Sequence, residues 1–326
     1  MNRFSSLGVA FTILLFSSCS PTVWKIEGVT SRSDKFWLWT IDFSPRVDKF
    51  VTGGTNGAVV IESKSGIEDS LRVDGQVTEV QWNPVSDMFA ASVQGGQKSF
   101  IRDIQNGVSY ALDDIDDFGA RALGWSPDGT KLAVGDYSGV LSIHDLRGRL
   151  LSAVKINDKG VIGLDWSPDG SKIVTVGQDI VIVDLIEQTT TSIQDREEDV
   201  LMLCVAYHPS GKIFVTGDYG DADKGNAPLL QYWTADGQLI RRINESKGEY
   251  RSIEWSHDGK ELATASDRVR IFNTNGVLLR QGEEQPTLLW GISWSRDAKV
   301  IAATDSEGAI IMYDRRLKTV SRHAGK

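Results

Sequence analysis

Seven times along the chain the same alternation returns. An apolar residue, one variable position and an aromatic are followed by a turn rich in Ser, Pro, Asp and Gly. The copies read IDFSPRVDKF (41–50), VQWNPVSDMF (80–89), LGWSPDGTKL (123–132), LDWSPDGSKI (164–173), VAYHPSGKIF (205–214), IEWSHDGKEL (253–262) and ISWSRDAKVI (292–301). A spacing of two puts the apolar residue and the aromatic on one face of a strand. The aromatics stand at Phe43, Trp82, Trp125, Trp166, Tyr207, Trp255 and Trp294, so the period runs from 39 to 48 residues. In the turn, proline fixes φ at one corner and glycine supplies a positive φ, which reverses the chain tightly. A second strand comes next, as in KLAVGD (131–136) or ELATAS (261–266). Then come a third, as in VLSIHD (140–145), RVRIFN (268–273) or AIIMYD (309–314), and a more polar fourth. No helical periodicity of useful length competes.

One such four-stranded unit cannot bury both its faces, whereas a ring of seven buries each interior face against a neighbour. The period lies in the range of propeller blades. The expected fold is therefore all-β: a seven-bladed β-propeller of four-stranded antiparallel blades. It fills residues 20–326 as a single domain, with blades starting near 37, 76, 119, 160, 200, 249 and 288. Either end of the chain offers a strand to close the ring, TVWKIEGV (22–29) or LKTVSRH (317–323). The reading favours the N-terminal strand, paired with AIIMYD of blade seven, because a shared strand leaves fewer exposed edges.

The repeats resemble the WD-repeat β-propeller family, with a tolB-like flavour in the Trp-Ser-Pro-Asp-Gly turns. The resemblance runs over roughly residues 22–320. The eponymous dipeptide is eroded: its positions read Ile61-Glu62, Arg102-Asp103, His144-Asp145, Val183-Asp184, Trp233-Thr234, Phe272-Asn273 and Tyr313-Asp314. The family's buried His/Asp/Ser/Trp hydrogen-bond network is not carried over to these residues, and blade stability is expected to come mainly from apolar packing. What the resemblance implies is a non-catalytic protein-interaction scaffold that binds a protein or peptide on its loop-rich rim.

Residues 1–19 differ from everything after them. Arg3 is the only charge, LGVAFTILLF (7–16) is apolar, and then come Ser17, Ser18 and Cys19. The apolar stretch is shorter than a bilayer span and has the order of a signal peptide. LLFSSC resembles the lipobox of bacterial lipoproteins, with Phe16 where leucine is usual. The expectation is export and lipidation at Cys19, with the membrane touched only through that anchor. A secreted form and an intracellular assembly subunit are the alternatives. Cys204, the only other cysteine, lies in the apolar run LMLCVAY (201–207) and reads as a small buried hydrophobe, so no disulfide or cysteine zinc site is expected. The net charge of −9 argues against nucleic acid as a partner.

No nucleophile elbow, Walker loop, dinucleotide fingerprint or HExxH is present. No cofactor or metal is expected, and the chain is read as a non-enzyme, monomeric propeller. A carbohydrate-binding or hydrolytic propeller using the same rim is the alternative. Of the histidines, His208 and His257 fall in the exposed turns, and His144 is expected to pack against a polar neighbour. The loop GDYGDADKGNAP (217–228) and the acidic DDIDDF (113–118) are read as solvated loops rather than cation sites.

Binding candidates come from the position four residues before each aromatic: Trp39, Thr78, Arg121, Ile162, Leu203, Arg251 and Trp290. Blades one and seven adjoin on closure, so Trp37, Trp39 and Trp290 should cluster, with Tyr250 one blade further round. Exposed Trp, Tyr and Arg dominate interface energetics. Strand parity, however, assigns the same position to the core, and both readings stand at this point. The candidate rim residues are Trp37, Trp39, Arg121, Tyr250, Arg251 and Trp290.

Overall fold

The computed structural model describes residues 36–96, 98–194 and 200–324, together with two backbone fragments, Ser5–Leu7 and Val23–Trp24. Each repeat forms one antiparallel sheet whose strands pair in chain order, and the seven sheets close into a propeller. Blade three is representative: Ala120–Trp125, Lys131–Asp136, Val140–Asp145 and Leu150–Lys155. Because successive strands are antiparallel, the 1–2 and 3–4 turns share a lower face. The 2–3 loops and the links between blades share an upper one.

The lower turns are built by their own side chains. In blade three Ser126 Oγ donates to Asp128 Oδ1 at 2.6 Å and accepts the Lys131 N–H at 3.0 Å. Gly129 sits at φ +66°, where an added Cβ would come within 2.4 Å of Val85 of blade two. Ser167 with Asp169, Ser256 with Asp258 and Ser295 with Asp297 repeat the arrangement.

Between the blades lie seven apolar clusters, one at each seam. Trp82 and Phe89 join blades one and two, and Trp166 joins blades three and four. The seam that closes the ring holds Leu38, Ile41 and Phe50 against Ala302 and Ile310. The outermost strands of blades five and seven are largely exposed, as their charged and polar residues allow.

The closing strand is the C-terminal one, contrary to the N-terminal reading. Thr319–Ala324 pairs antiparallel with Ala309–Asp314. Of residues 22–29, the described Val23–Trp24 pairs instead with the outer strand of blade two. The physical reason is local. A hairpin tightened by Asp314, whose Oδ1 accepts the Arg316 and Lys318 N–H groups, closes a short loop. Recruiting the distant N-terminus closes a very long one at greater entropic cost. The ring itself is joined by side chains: Phe43 N–H donates to Ser293 Oγ across 250 residues, and Ser293 Oγ donates to Asp42.

Candidate functional site

All seven residues placed four before the aromatics line one cavity at the upper end of the central channel, with a volume of about 210 Å³. A β-bulge decides their direction. In blades one, two, three, five and seven the pairing of the first two strands slips near this position. A bulge adds an unpaired residue and re-aims the neighbouring side chains. The residue five before the aromatic therefore takes the core place: Leu38, Val77, Ala120, Met202 and Leu289 are buried. In blades four and six the paired strand starts only at Gly163 and Ser252, with Val161 and Tyr250 buried in the same register.

Tyr250 is thus a correction. It is 0% exposed within the cluster between blades five and six. Plain parity puts it outside and Trp39 inside; the bulge of blade one turns Trp39 to the channel, and Tyr250, ahead of the paired strand of blade six, turns inward.

Trp37, Trp39, Trp290 and Arg251 do come together. The rings of Trp37 and Trp290 stack with centroids 5.6 Å apart, those of Trp39 and Trp290 at 5.9 Å, and Arg251 Cζ lies 3.9 Å from the Trp290 centroid. Arg251 also reaches over Tyr219 at 5.7 Å and pairs through Nε with Glu249. A guanidinium over an indole face is held by the ring quadrupole. Trp290 thus has three neighbours about its ring, Trp37, Trp39 and Arg251. Arg121 lines the same cavity, half-buried. Burial holds Arg251 below the usual arginine range; Arg121 adds to this and Glu249 opposes it.

Tyr219 and Glu249 lie outside the motifs that point to the mouth. Tyr219 belongs to the long blade-five loop, whose length is the available signal. Glu249 stands two residues before Arg251, a strand spacing that puts them on one side.

Lower in the channel a different pattern rules. In blades one, two, four, six and seven the side chain just before the aromatic serves the next blade. Asp42 Oδ2 accepts the Trp82 N–H at 2.6 Å, Gln81 Oε1 that of Trp125 at 2.9 Å, Asp165 Oδ2 that of Tyr207 at 2.7 Å, and Glu254 Oε2 that of Trp294 at 3.3 Å. The main-chain carbonyls of Asp42, Gln81, Gly124 and Glu254 accept the indole N–H of the next blade's tryptophan. Blade three has Gly124 at this place, and the Trp166 N–H turns to the carboxylate of Asp165 instead. This ladder adds directional bonds to the apolar packing expected to hold the blades. Of the eroded dipeptides, Trp233 keeps a fragment of a network, donating to Thr216 Oγ1 at 3.0 Å.

Burial dominates the chemistry of these carboxyls. It pushes Asp42 and Asp165 up to about 7 against the main-chain N–H groups they accept, and Glu79 up to about 8. Glu254 is raised well above the ordinary range, first by burial and then by the Asp42 charge.

The remaining candidates are structural. His144 is buried, with Nε2 2.9 Å from the Asp113 carbonyl, and burial lowers its pKa so that it holds the acidic loop as a neutral donor. Within that loop the Asp116 carboxylate accepts the Phe118 N–H at 2.8 Å. His208 is not a solvated turn residue. Its Nδ1 meets Ser210 Oγ, its Nε2 lies 2.8 Å from the Gly259 carbonyl, and its ring stands edge-on to Trp255 at 4.7 Å, bracing blades five and six. His257 is exposed, as expected. Asp218 is buried at the neck of the blade-five loop, where Oδ1 accepts the Gly220 and Leu229 N–H groups. Cys204 is buried, its thiol pushed up by burial and donating to the Tyr250 carbonyl at 3.3 Å. Cys19 lies outside the described residues.

Seven blades of four antiparallel strands, with loops and an aromatic–arginine stack at one channel mouth, define a seven-bladed β-propeller. In sequence, residues 80–169 match the family model described as the WD40 domain of anaphase-promoting complex subunit 4. That stretch covers blades two and three and the opening of blade four, well under half of the chain.

Proposed function

We propose that the chain is a non-catalytic scaffold that binds a protein or peptide partner on its upper face, centred on the channel mouth. WD40-type propellers are in general protein-interaction scaffolds. The observation that carries the reading is where the exposed aromatics fall. Three are strongly exposed among the described residues: Phe118 at 74%, Tyr219 at 48% and Trp37 at 47%. All three belong to the upper face, in the link entering blade three, the blade-five loop and the approach to blade one. Exposed rings gathered on one face mark an interaction surface. The carboxyls of the lower channel support a non-catalytic reading, because Asp42, Asp165 and Glu254 are tied to main-chain N–H groups of the adjoining blade. The matched family model is named for a subunit of a complex, which agrees with an assembly role.

A photo-crosslinking amino acid at Phe118 or Tyr219 tests this, with Ile186 and Val320, apolar and exposed away from the upper face, as controls. Adducts with one defined protein from the upper positions alone are expected. Equal labelling from all four positions sinks the reading.

Export and lipid anchoring at Cys19 belong to the same proposal, supported by the order of residues 3–19. Intact-mass measurement of the native N-terminus is expected to find an acylated Cys19, and an unmodified Met1 overturns it.

A further inference from the structure

The channel mouth is rich in donors and poor in acceptors. Arg121 lines the cavity, and its guanidinium makes no hydrogen bond or ion pair with a described residue. Arg251 engages Glu249 through Nε alone. The indole N–H groups of Trp39 and Trp290, which line the same cavity, have no acceptor among the described residues. Glu79, the acidic side chain in the cavity lining, already accepts the Leu123 N–H through Oε2. We propose that this mouth takes the carboxylate side chain of an acidic peptide, held between the guanidinium groups of Arg121 and Arg251. The inference rests on the reading of the upper face as the partner-binding surface and names what the partner must bring.

A carboxylate is favoured on four grounds. Guanidinium groups present a planar fork of donors that fits one, and charge-assisted bonds of this kind are the strong ones. The cavity, about 210 Å³, holds a carboxylate with a short stem, and Ile162 and Leu203 give that stem apolar walls. The local charge suits a monoanion near neutral pH: Glu249 pairs with Arg251, and burial pushes Glu79, which feels the Arg121 charge, up to about 8, so one positive charge is left to be answered. Finally, the chain carries a net charge of −9, so the overall field disfavours an acidic peptide and the paired arginines give it a basic opening to enter.

The test uses the purified full chain and three fluorescein-labelled Gly/Ser peptides. One carries three consecutive glutamates, one three glutamines and one three phosphoserines, and binding is read by anisotropy at low and high salt. The glutamate peptide is expected to bind at least tenfold more tightly than the glutamine peptide, with the preference shrinking as salt rises. Arg121→Gln should remove most of that preference while leaving the melting temperature unchanged, since the side chain makes no contact that folding needs. Equal binding of the glutamate and glutamine peptides overturns the proposal. So does an intact preference in Arg121→Gln, or binding of the phosphoserine peptide alone. If crosslinks from Tyr219 persist while no carboxylate preference is found, the acidic ligand is wrong and the interaction surface stands.

Discussion

The two ends of each first strand obey opposite rules. At the lower end, the aromatic, the residue before it and the turn after it repeat their geometry in most of the blades. The chemistry varies only within what that geometry accepts: Gln81 does for Trp125 what Glu254 does for Trp294. At the upper end, the seven residues lining the mouth are two tryptophans, two arginines, a threonine, an isoleucine and a leucine. Each lower position faces the same task, matching one blade to the next, so the copies converge. An upper position released by the bulge has no such task, and its side chain is free to serve a ligand. Repetition here marks architecture, and divergence between copies marks the place to look for function.

The sharpest way to break the comparison is to remove a lower aromatic. Trp294→Ala deletes a ring that is 1% exposed together with its indole bond to the Glu254 carbonyl. It should lower stability by about 3–5 kcal/mol, as large-to-small core changes do. A thermal melt within a degree or two of the parent would contradict the assignment of the lower end to architecture.

Acidity gives the next largest effect. Asp42, Asp165, Glu79 and Glu254 hold protons in the native state at pH values where the unfolded chain, titrating near 4, has lost them. Stability should therefore fall as pH rises from about 4 to about 8. The turn aspartates act in the opposite direction. The Ser167 hydroxyl holds Asp169 at about 2, the Ser256 hydroxyl holds Asp258 there, and the Lys299 N–H does the same for Asp297. Their contribution is present above about 4 and is lost as pH drops toward 2. Melting temperature against pH should thus peak between about 4 and 5. Glu254→Gln copies the side chain that blade two already uses, and it should flatten the alkaline side of the curve by several degrees. An unchanged slope would show that Glu254 is ionised throughout.

The smallest stability effect is expected at the upper end. Trp37→Ala removes a ring that is 47% exposed and should cost under about 1 kcal/mol, yet it should reduce crosslinking from Tyr219 severalfold. A large loss of stability with crosslinking intact would turn the stack from a binding surface into a packing device.

Much of this is legible in the residues. The aromatics from Phe43 to Trp294, the apolar partners two places earlier and the Ser-Pro-Asp-Gly turns define the blades, because strand period and turn chemistry act within a few residues. The clustering of Trp37, Trp39 and Trp290 comes from ring closure alone. Tyr250 is misplaced by parity and the orientation of Trp39 left open, because one precedes the paired strand of its blade and the other sits at a slip in pairing. No residue type announces that slip. The exposed Phe118 is hidden at the end of an acidic run.

By itself, then, the sequence determined the all-β class, the seven units and the chemistry of the lower turns. All of these rest on contacts between near neighbours in the chain. Only the tertiary structure decided which end closes blade seven, which carboxyls are buried against the next blade, and which way Trp39, Arg121 and Tyr250 point. Those outcomes depend on pairing register and on meetings such as that of Phe43 with Ser293, where the partners are brought together by closing the ring.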